Sequence, residues 1–297
     1  MIDDSRPLRS VLYMPASNAR ALAKARSLDC DAVVLDLEDA VAPDLKAQAR
    51  AELAAQIRTG GFGHRRLIAR INGMDTPWGE ADLAALADSL PEQEPEAILV
   101  PKVNDAADIA ALSGTMDRLG YRPSVGLWAM IETPRAVLGI ERIADMAGST
   151  RLSGFVLGLN DLAKDTGMAQ EPGRAAFVPV LVAAVLAARA NGLVVIDGVC
   201  NVIDDSALLE AECTQARAFG FDGKTLIHPA QLAVTNAVFA PSPQDVAQAQ
   251  AIVAAFADPA NAGQGALRVN GRMVERLHRD MAEKTLAKAR AIAERAA

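Results

Sequence analysis

The chain has 297 residues, of which 51 % are hydrophobic and 23 % are charged, and its formal net charge at pH 7 is −7. This mixture is typical of a folded globular protein and excludes an intrinsically disordered chain. The acidic balance argues against nucleic acid as the main partner.

We expect neither a membrane span nor a signal peptide. The longest near-continuous apolar stretch, residues 175–188, is shorter than the roughly 20 residues that a membrane helix needs, and it contains Pro179. The first residues, MIDDSRPLRS, are acidic where a signal peptide is basic. The chain also has three widely spaced cysteines, which predict reduced thiols in a cytoplasmic protein: Cys30, Cys200 and Cys213.

Short apolar segments alternate along the chain with alanine-rich segments of helical periodicity. The predicted strands are residues 9–15, 31–37, 66–71, 97–103, 124–132, 154–159, 193–199 and 223–228. Their apolar residues run continuously instead of alternating with polar ones. This pattern indicates strands that are buried on both faces, as in a parallel sheet covered by helices.

The segments between the strands carry residues that begin and end helices. N-caps or first-turn prolines are predicted at Ser17, Pro43–Asp44, Asp105, Thr133–Pro134 and Asp204–Asp205, and helix ends at Gly148, Gly192 and Gly220. Eight strand-then-helix units predict an α/β fold, a closed (β/α)8 TIM barrel. An open doubly wound sheet is the alternative, but no GxGxxG or GxxxxGKS motif follows the first strand.

The sequence changes character after residue 240. Two prolines in residues 241–243 mark a boundary, a helix is predicted over residues 244–256, and a glycine-rich joint at 262–265 precedes a charged helix from about Val274. The predicted domains are therefore a catalytic barrel over residues 1–240 and a C-terminal helical extension over residues 241–297. The extension either caps the barrel or reaches a neighbouring subunit.

Barrel active sites lie at the carboxyl ends of the strands, and here those ends carry ionisable or amide side chains. The predicted strand-end residues are Asp36, Glu38, Asp39, Arg70, Asn72, Lys102, Glu132, Asn160, Asp161, Asp197 and Lys224. Glu132 and Asp161 end neighbouring strands, so their carboxylates can bind one Mg²⁺ ion together with water and substrate oxygens. The structural alternative pairs Glu132 with Arg135 or Lys102 and makes Asp161 a helix cap.

Two further features suggest where a substrate binds. Arg70 offers a planar fork for a carboxylate or a developing enolate oxygen; the alternative is a salt bridge to Asp36 or Glu38. Residues 158–161 form a turn whose backbone N–H groups can hold a carboxylate, although such residues are also ordinary turn formers.

A basic cluster near the start of this acidic chain is a candidate for binding the anionic tail of a phosphorylated cofactor. Arg20 and Lys24 are its main members, and a solvated helix face is the alternative. The other members are Arg6, Arg9 and Arg26.

Several motifs occur together in a fixed order: RSVLYMPAS, DAVVLDLEDAV, ARINGMDTPWGEADL, ILVPKV, MIETPRAV, VLGLNDLAKDTG, FDGKTLIHPAQ, NAVFAPS and GRMVERLH. From Arg9 to the last helix, the chain closely resembles the citrate lyase beta-subunit-like family, which includes malyl-CoA and citramalyl-CoA lyases and malyl-CoA thioesterases. The resemblance implies a Mg²⁺-dependent TIM barrel that acts on 3-hydroxyacyl thioesters, usually of coenzyme A.

The resemblance also implies roles for individual residues. Glu132 and Asp161 match the metal ligands and contact the substrate, and Arg70 matches the arginine that contacts the keto acid and the thioester enolate. The backbone at Leu159, Asn160 and Asp161 matches the loop that receives the keto-acid carboxylate.

Family members are typically trimers or hexamers in which the C-terminal segment covers a neighbour's active site. That segment carries an acid in the pattern G-x-M-[IV]-D, and here residues 271–275 end in Glu275 instead of Asp. The longer side chain shifts the acid, and a misplacement near 1 Å can cost on the order of 100-fold in rate.

The resulting prediction is a carbon–carbon lyase that cleaves malyl-CoA or citramalyl-CoA into acetyl-CoA and a 2-keto acid. Arg70, Glu275 and Glu38 are its predicted catalytic residues, and the expected assembly is a homotrimer or hexamer. The alternatives are a malyl-CoA thioesterase, the beta subunit of a citrate lyase complex acting on a citryl acyl carrier protein, and a CoA-binding homologue with weakened catalysis.

Overall fold

The computed structural model describes residues 6–88 and 95–296. Eight parallel strands close into a barrel in sequence order, and β8 pairs with β1. The strands are β1 (Ser10–Pro15), β2 (Ala32–Asp36), β3 (Arg66–Arg70), β4 (Ala97–Val100), β5 (Gly126–Ile131), β6 (Leu152–Leu157), β7 (Val194–Asp197) and β8 (Gly223–Leu226). The predicted (β/α)8 barrel is confirmed, and each predicted strand overlaps the observed one.

Helices follow the strands of the barrel. They are α1 (Ala19–Ala25), α2 (Lys46–Thr59), α3 (Gly79–Ala87), α4 (Ala106–Arg118), α5 (Pro134–Leu138), α6 (Ile140–Ala144), α7 (Leu159–Thr166), α8 (Val178–Ala190), α9 (Ser206–Phe219) and α10 (Leu232–Phe239). Asp105, Thr133 and Asp205 are N-caps as predicted. The cap of α1 is Asn18 instead of Ser17, because the Asn18 side chain accepts the Ala21 N–H.

The barrel interior is filled by residues that alternate along the strands. One buried cluster includes Val34 on β2, Ile68 on β3, Leu99 on β4, Trp128 on β5 and Val156 on β6. Strand side chains on one face repeat every second residue. The residues that follow on the same face therefore stand above this core at the carboxyl ends of the strands, and these are the polar residues of the candidate site.

The residues from Ala237 onward form a separate compact unit. It contains α11 (Pro243–Ala257), an antiparallel hairpin of β9 (Ala266–Val269) and β10 (Arg272–Glu275), and α12 (Arg276–Ala296). These elements share a small core of Ala249, Ile252, Leu267, Val269, Val274 and Ala282.

The hairpin is not among the predicted elements of the C-terminal extension. Val274, where the charged helix was expected to begin, lies in β10, and α12 starts at Arg276. The turn is Asn270-Gly271, and both residues have positive φ, 50° and 81°. An Asn-Gly pair in this conformation matches the right-handed twist of two antiparallel strands, which explains why a hairpin forms here.

The three cysteines are buried and free, as predicted. Burial raises the pKa of Cys30 and of Cys213 to about 11, so both thiols stay protonated near neutral pH. Among the helices that the structure describes, every one is too short or too polar to cross a bilayer.

Closure of the barrel requires a glycine at the start of β8. A Cβ atom on Gly223 would overlap the Leu8 carbonyl oxygen and lie 2.6 Å from that of Arg9. We expect Gly223→Ala to lower the free energy of unfolding by about 3 kcal/mol, because backbone atoms must shift to admit the methyl group. Urea denaturation measures this change.

Gly148→Ala is the matched control. A Cβ on Gly148 has open space around it, with nothing within 4 Å. We expect its free energy of unfolding to stay within about 0.5 kcal/mol of the parent value. Equal stability of the two variants would contradict the assigned role of Gly223.

Candidate active site

Arg70 and Asp36 form a buried ion pair at the carboxyl ends of β2 and β3. The parallel register places the two residues side by side. Arg70 Nε donates to Asp36 Oδ1 at 2.6 Å, and Nη2 donates to Oδ2 at 2.7 Å. The guanidinium carbon lies 4.7 Å from the centre of the Tyr13 ring. The pair is bidentate and shielded from water, so it fixes the plane of the guanidinium group.

Glu38 contacts Nη1, the guanidinium nitrogen of Arg70 that Asp36 does not bind. Its Oε2 lies 2.8 Å from Arg70 Nη1, but this buried oxygen receives no well-directed hydrogen bond. Burial raises the pKa of Glu38 from its ordinary 4.5 to about 8; Arg70 opposes the shift, and Asp39 and Glu132 add to it. Glu38 is therefore a carboxyl group that gains and loses its proton near neutral pH.

The loop that carries Glu38 is held by residues outside the strand-end pattern. Asp36 Oδ1 accepts the Glu38 N–H at 2.9 Å. The Lys46 ammonium donates to the carbonyl oxygens of Leu37 and Glu38 at 2.8 and 2.7 Å. Lys46 was not among the predicted site residues; it is a buried lysine at the start of α2.

Asn72 likewise has a structural partner. Asp82, on α3, accepts hydrogen bonds from the backbone N–H and the side-chain amide of Asn72, at 3.0 and 2.6 Å. It also receives the Arg50 Nε at 2.6 Å. This hydrogen-bond network holds the loop that follows Arg70.

Lys102 contacts both Glu132 and Asp161. Glu132 Oε1 accepts the backbone N–H of Lys102 at 2.7 Å and lies 3.4 Å from Lys102 Nζ. The same ammonium contacts Asp161 Oδ1. Burial raises the pKa of Glu132, although Lys102 opposes the shift. The structural alternative of a Glu132–Lys102 pair is thus present in the structure.

Gly158 allows Glu132 to approach α7. A Cβ atom on Gly158 would lie 2.5 Å from Glu132 Cβ and would also overlap its Oε2. α7 begins directly afterwards at Leu159, with no side-chain cap from Gly158. The first N–H groups of an α-helix have no partner within the helix. The backbone N–H groups of Leu159, Asn160 and Asp161 therefore suit an anionic oxygen.

The side chain of Asn160 belongs to an amide cluster beside this helix end. It exchanges two hydrogen bonds with Asn201, at 2.7 and 3.1 Å, and its Oδ1 accepts from Gln170 at 2.9 Å. Asn201 and Gln170 were not among the predicted site residues. All three amides line a cavity of about 330 Å³, together with the side chains of Leu159 and Cys200.

Asp197 and Lys224 form a second cluster, with Arg174 and Glu212; we call these four residues the balanced cluster. Arg174 Nη1 lies 2.8 Å from both oxygens of Asp197. Lys224 Nζ lies 2.8 Å from Asp197 Oδ2 and 2.8 Å from Glu212 Oε2. Lys224 is fully buried and paired with carboxylates, as expected for an ion-pair partner.

The five basic residues near the start of the chain do not share one environment. Arg9 is buried against Asp31, with contacts at 2.8 and 2.9 Å. Arg26 stacks on Phe62, with its guanidinium carbon 4.5 Å from the ring centre. Arg20 and Lys24 lie one turn apart and exposed on α1. These two remain the candidates for contacting a phosphorylated cofactor.

Glu275 lies in the C-terminal unit, at the end of β10 and directly before α12. It is partly buried, and its backbone N–H donates to His278 Nδ1 at 3.0 Å. The imidazole therefore holds the junction between the hairpin and the helix.

The carboxylates at the barrel mouth fit a hard divalent cation with open coordination positions. Within residues 6–88 and 95–296, no group of three or more His, Cys, Asp or Glu side chains is placed to hold a metal ion. Two convergent carboxylates are, however, enough for magnesium, which commonly keeps water and substrate oxygens as its other ligands. Glu132 and Asp161 have these oxygen donors, and a cation, the Lys102 ammonium, already lies against both.

Comparison with known proteins identifies the family of this chain. The model of the HpcH/HpaI aldolase/citrate lyase family matches residues 9–229. A (3S)-malyl-CoA thioesterase of Cereibacter sphaeroides is 49 % identical over 293 residues, which are 99 % of this chain and 98 % of the relative. An L-malyl-CoA/beta-methylmalyl-CoA lyase of the same species is 33 % identical and covers 91 % of each chain.

A solved structure is similar over nearly the whole chain. CitE from Mycobacterium tuberculosis, in complex with magnesium, acetoacetate and coenzyme A, superposes with a TM-score of 0.76 at 29 % identity. The match covers 96 % of this chain and 99 % of that chain. The resemblance drawn from the motifs is confirmed, and the predicted magnesium cofactor agrees with this relative.

The raised pKa of Glu38 leads to a test of stability against pH. The native state holds the Glu38 proton more tightly than the unfolded chain, so this proton stabilises the fold below about pH 5 and its contribution is lost as the pH rises towards 8. We expect the free energy of unfolding of the parent protein to fall relative to Glu38→Gln across this window. Urea denaturation at a series of pH values measures the difference.

Glu141→Gln, at an exposed position on α6, is the control for that series. The difference in the free energy of unfolding between this variant and the parent protein should stay constant between about pH 5 and pH 8. If the difference in the free energy of unfolding between Glu38→Gln and the parent protein is also constant over this range, Glu38 titrates as an ordinary glutamate.

Proposed function

Because the chain belongs to the HpcH/HpaI aldolase/citrate lyase family, we propose that it is a magnesium-dependent thioesterase that hydrolyses (3S)-malyl-CoA to malate and coenzyme A. The observation that carries this proposal is the 49 % identity to a (3S)-malyl-CoA thioesterase across almost the entire length of both chains. The arrangement of charges at the barrel mouth is consistent with that chemistry.

Glu132 and Asp161 would hold the magnesium ion. Once bound, the ion supplies Lewis-acid polarisation of the substrate hydroxyl and carboxylate oxygens. The N–H groups at the start of α7, from Leu159 to Asp161, bind the terminal carboxylate of the malyl group. Asn160 keeps this turn in place through its amide contacts with Asn201 and Gln170.

Arg70 stabilises the negative charge that forms on the thioester oxygen. Nε and Nη2 are committed to Asp36, whereas Nη1 contacts Glu38 and Asp39, so Nη1 would exchange these contacts for the thioester oxygen. Asp36 holds the guanidinium in a fixed plane, and such preorganised donors stabilise a developing oxyanion at little reorganisation cost.

Glu38 moves the proton. In hydrolysis, a water oxygen attacks the thioester carbon, the carbon–sulfur bond breaks, and the proton of the water passes to the leaving sulfur. A group with a pKa near the working pH serves both steps best, and the pKa of Glu38 is raised to about 8 by burial. Glu38 thus accepts the proton as a base and returns it as an acid.

The assembly we propose is a homotrimer or hexamer in which Glu275 of a neighbouring subunit completes the site. Support comes from the acid at the end of the motif in residues 271–275. Arg20 and Lys24, exposed on one side of α1, would contact the phosphates of coenzyme A.

A carbon–carbon lyase acting on the same substrate is the second candidate. It is favoured by the L-malyl-CoA/beta-methylmalyl-CoA lyase, whose match covers 91 % of the chain. Cleavage also places negative charge on the thioester oxygen, now as an enolate, so Arg70 serves this reaction equally well. The products then are acetyl-CoA and glyoxylate.

The two reactions are separated by their products. We expect the purified protein, incubated with Mg²⁺ and racemic malyl-CoA, to release free coenzyme A and malate without glyoxylate, and to stop when EDTA removes the metal. A thiol reagent follows coenzyme A, and a coupled assay follows glyoxylate. Glyoxylate formed in step with acetyl-CoA would establish the lyase instead, and turnover that persists in EDTA would refute the metal requirement.

The role of Glu275 is tested by charge removal. We expect Glu275→Gln to lower kcat by about 100-fold, because the neighbouring site loses the acid that completes it. Glu283→Gln, at an exposed position on α12, should turn over like the parent enzyme. Undiminished turnover of Glu275→Gln would remove this residue from the mechanism.

A further inference from the structure

Lys102 has an unusual backbone conformation at the end of β4. Its φ is 56°, in the left-handed region that a residue with a Cβ atom rarely adopts. Strained residues persist where the surrounding contacts stabilise them, and they are concentrated at functional sites. The contacts of Lys102 with Glu132 and Asp161 therefore explain why this backbone conformation persists.

Lys102 bridges two carboxylates, Glu132 directly after β5 and Asp161 in the first turn of α7. Its backbone N–H donates to Glu132 Oε1, and its ammonium lies 3.4 Å from that same oxygen and in contact with Asp161. The left-handed turn brings both groups of one residue to a single carboxylate. The amide orients Glu132, whereas the ammonium supplies the positive charge.

The burial of these groups explains why a charge is needed here. The Glu132 side chain is only 1 % exposed, whereas that of Lys102 is 33 % exposed. A buried carboxylate without a partner is costly, so the negative charge of Glu132 requires a nearby cation. The Lys102 side chain approaches Glu132 from the solvent side. Its ammonium can therefore move away while the backbone N–H bond to Glu132 stays in place.

On the basis of the metal site in the proposed function, we propose that the Lys102 ammonium is an internal counter-ion that occupies the cation position between Glu132 and Asp161 and is displaced when magnesium binds. A divalent ion bound to these carboxylate oxygens would lie close to the ammonium, and the repulsion between the two cations disfavours their joint occupancy. Lys102 therefore keeps the metal-free site folded and weakens the affinity for magnesium.

Calorimetric titration of Mg²⁺ into metal-free protein, without substrate, tests this competition. We expect Lys102→Met to bind Mg²⁺ at least about tenfold more tightly than the parent protein, because the competing charge is gone. Lys102→Arg, which keeps the charge, should bind Mg²⁺ as weakly as the parent protein does. Lys164→Met, which removes a charge from an exposed position on α7, should bind as the parent does.

Thermal unfolding provides a second readout that does not depend on activity. In EDTA, Lys102→Met should melt at a lower temperature than the parent protein, since two carboxylates lose their counter-ion, and Mg²⁺ should raise its midpoint more than that of the parent. Lys102→Gln, which keeps a polar side chain, repeats the comparison if the methionine variant does not fold.

The outcomes separate this inference from the proposed function. If the parent protein binds Mg²⁺ and Asp161→Asn does not, the metal site is correct; equal or weaker binding by Lys102→Met and Lys102→Gln would then overturn the counter-ion role alone. If neither the parent protein nor these lysine variants bind Mg²⁺, both the metal site and the inference fail.

Discussion

The ion pair between Arg70 and Asp36 organises the mouth of the barrel. Both oxygens of Asp36 are saturated by Arg70 and by the backbone of the following loop, so this carboxylate and its partner form one rigid, desolvated unit. Removing the charge of Arg70 would leave the buried Asp36 carboxylate without its ion-pair partner, which is a severe penalty. Burial raises the pKa of Glu38, the carboxylates around it add to the rise, and the neighbouring Arg70 offsets only part of it. The acid–base behaviour of Glu38 therefore follows from its burial in a group of carboxylates that share one guanidinium.

The two candidate reactions both act through the carbonyl oxygen of the thioester. Hydrolysis and carbon–carbon cleavage both place a negative charge on the same oxygen, so a guanidinium fixed at that point accelerates either one. The two reactions differ in the nucleophile, which is water in hydrolysis and absent in carbon–carbon cleavage, and in the atom that receives the proton. Those properties depend on access to the thioester and on the placement of acids such as Glu38 and Glu275. Family membership therefore defines the substrate class more firmly than the bond that breaks.

Much of the barrel and of its mouth follows from local pattern. Continuous apolar strands that end in polar residues predict where Arg70, Glu132 and Asp161 lie, because parallel strands share one carboxyl edge. The same pattern does not decide between ion pair and metal site, since the carboxylates that pair with Lys102 are those that suit magnesium. Lys46 and Asn201 are also beyond local pattern. Lys46 folds back onto carbonyl oxygens eight and nine residues before it, and Asn201 bonds to a side chain 41 residues away, so these contacts depend on the folded loops.

The two polar clusters of the barrel differ in their charge balance, and this difference indicates where chemistry takes place. In the balanced cluster, the cations Arg174 and Lys224 meet the anions Asp197 and Glu212, so the group is neutral and needs no ligand. At the mouth, three cations, Arg70, Lys46 and Lys102, face five carboxyl groups, of which Glu38 keeps its proton near pH 7: Asp36, Glu38, Asp39, Glu132 and Asp161. A deficit of positive charge in a partly buried site favours binding of a cation. The charges of the mouth are therefore not balanced by its own side chains, and the divalent ion proposed between Glu132 and Asp161 would remove that deficit.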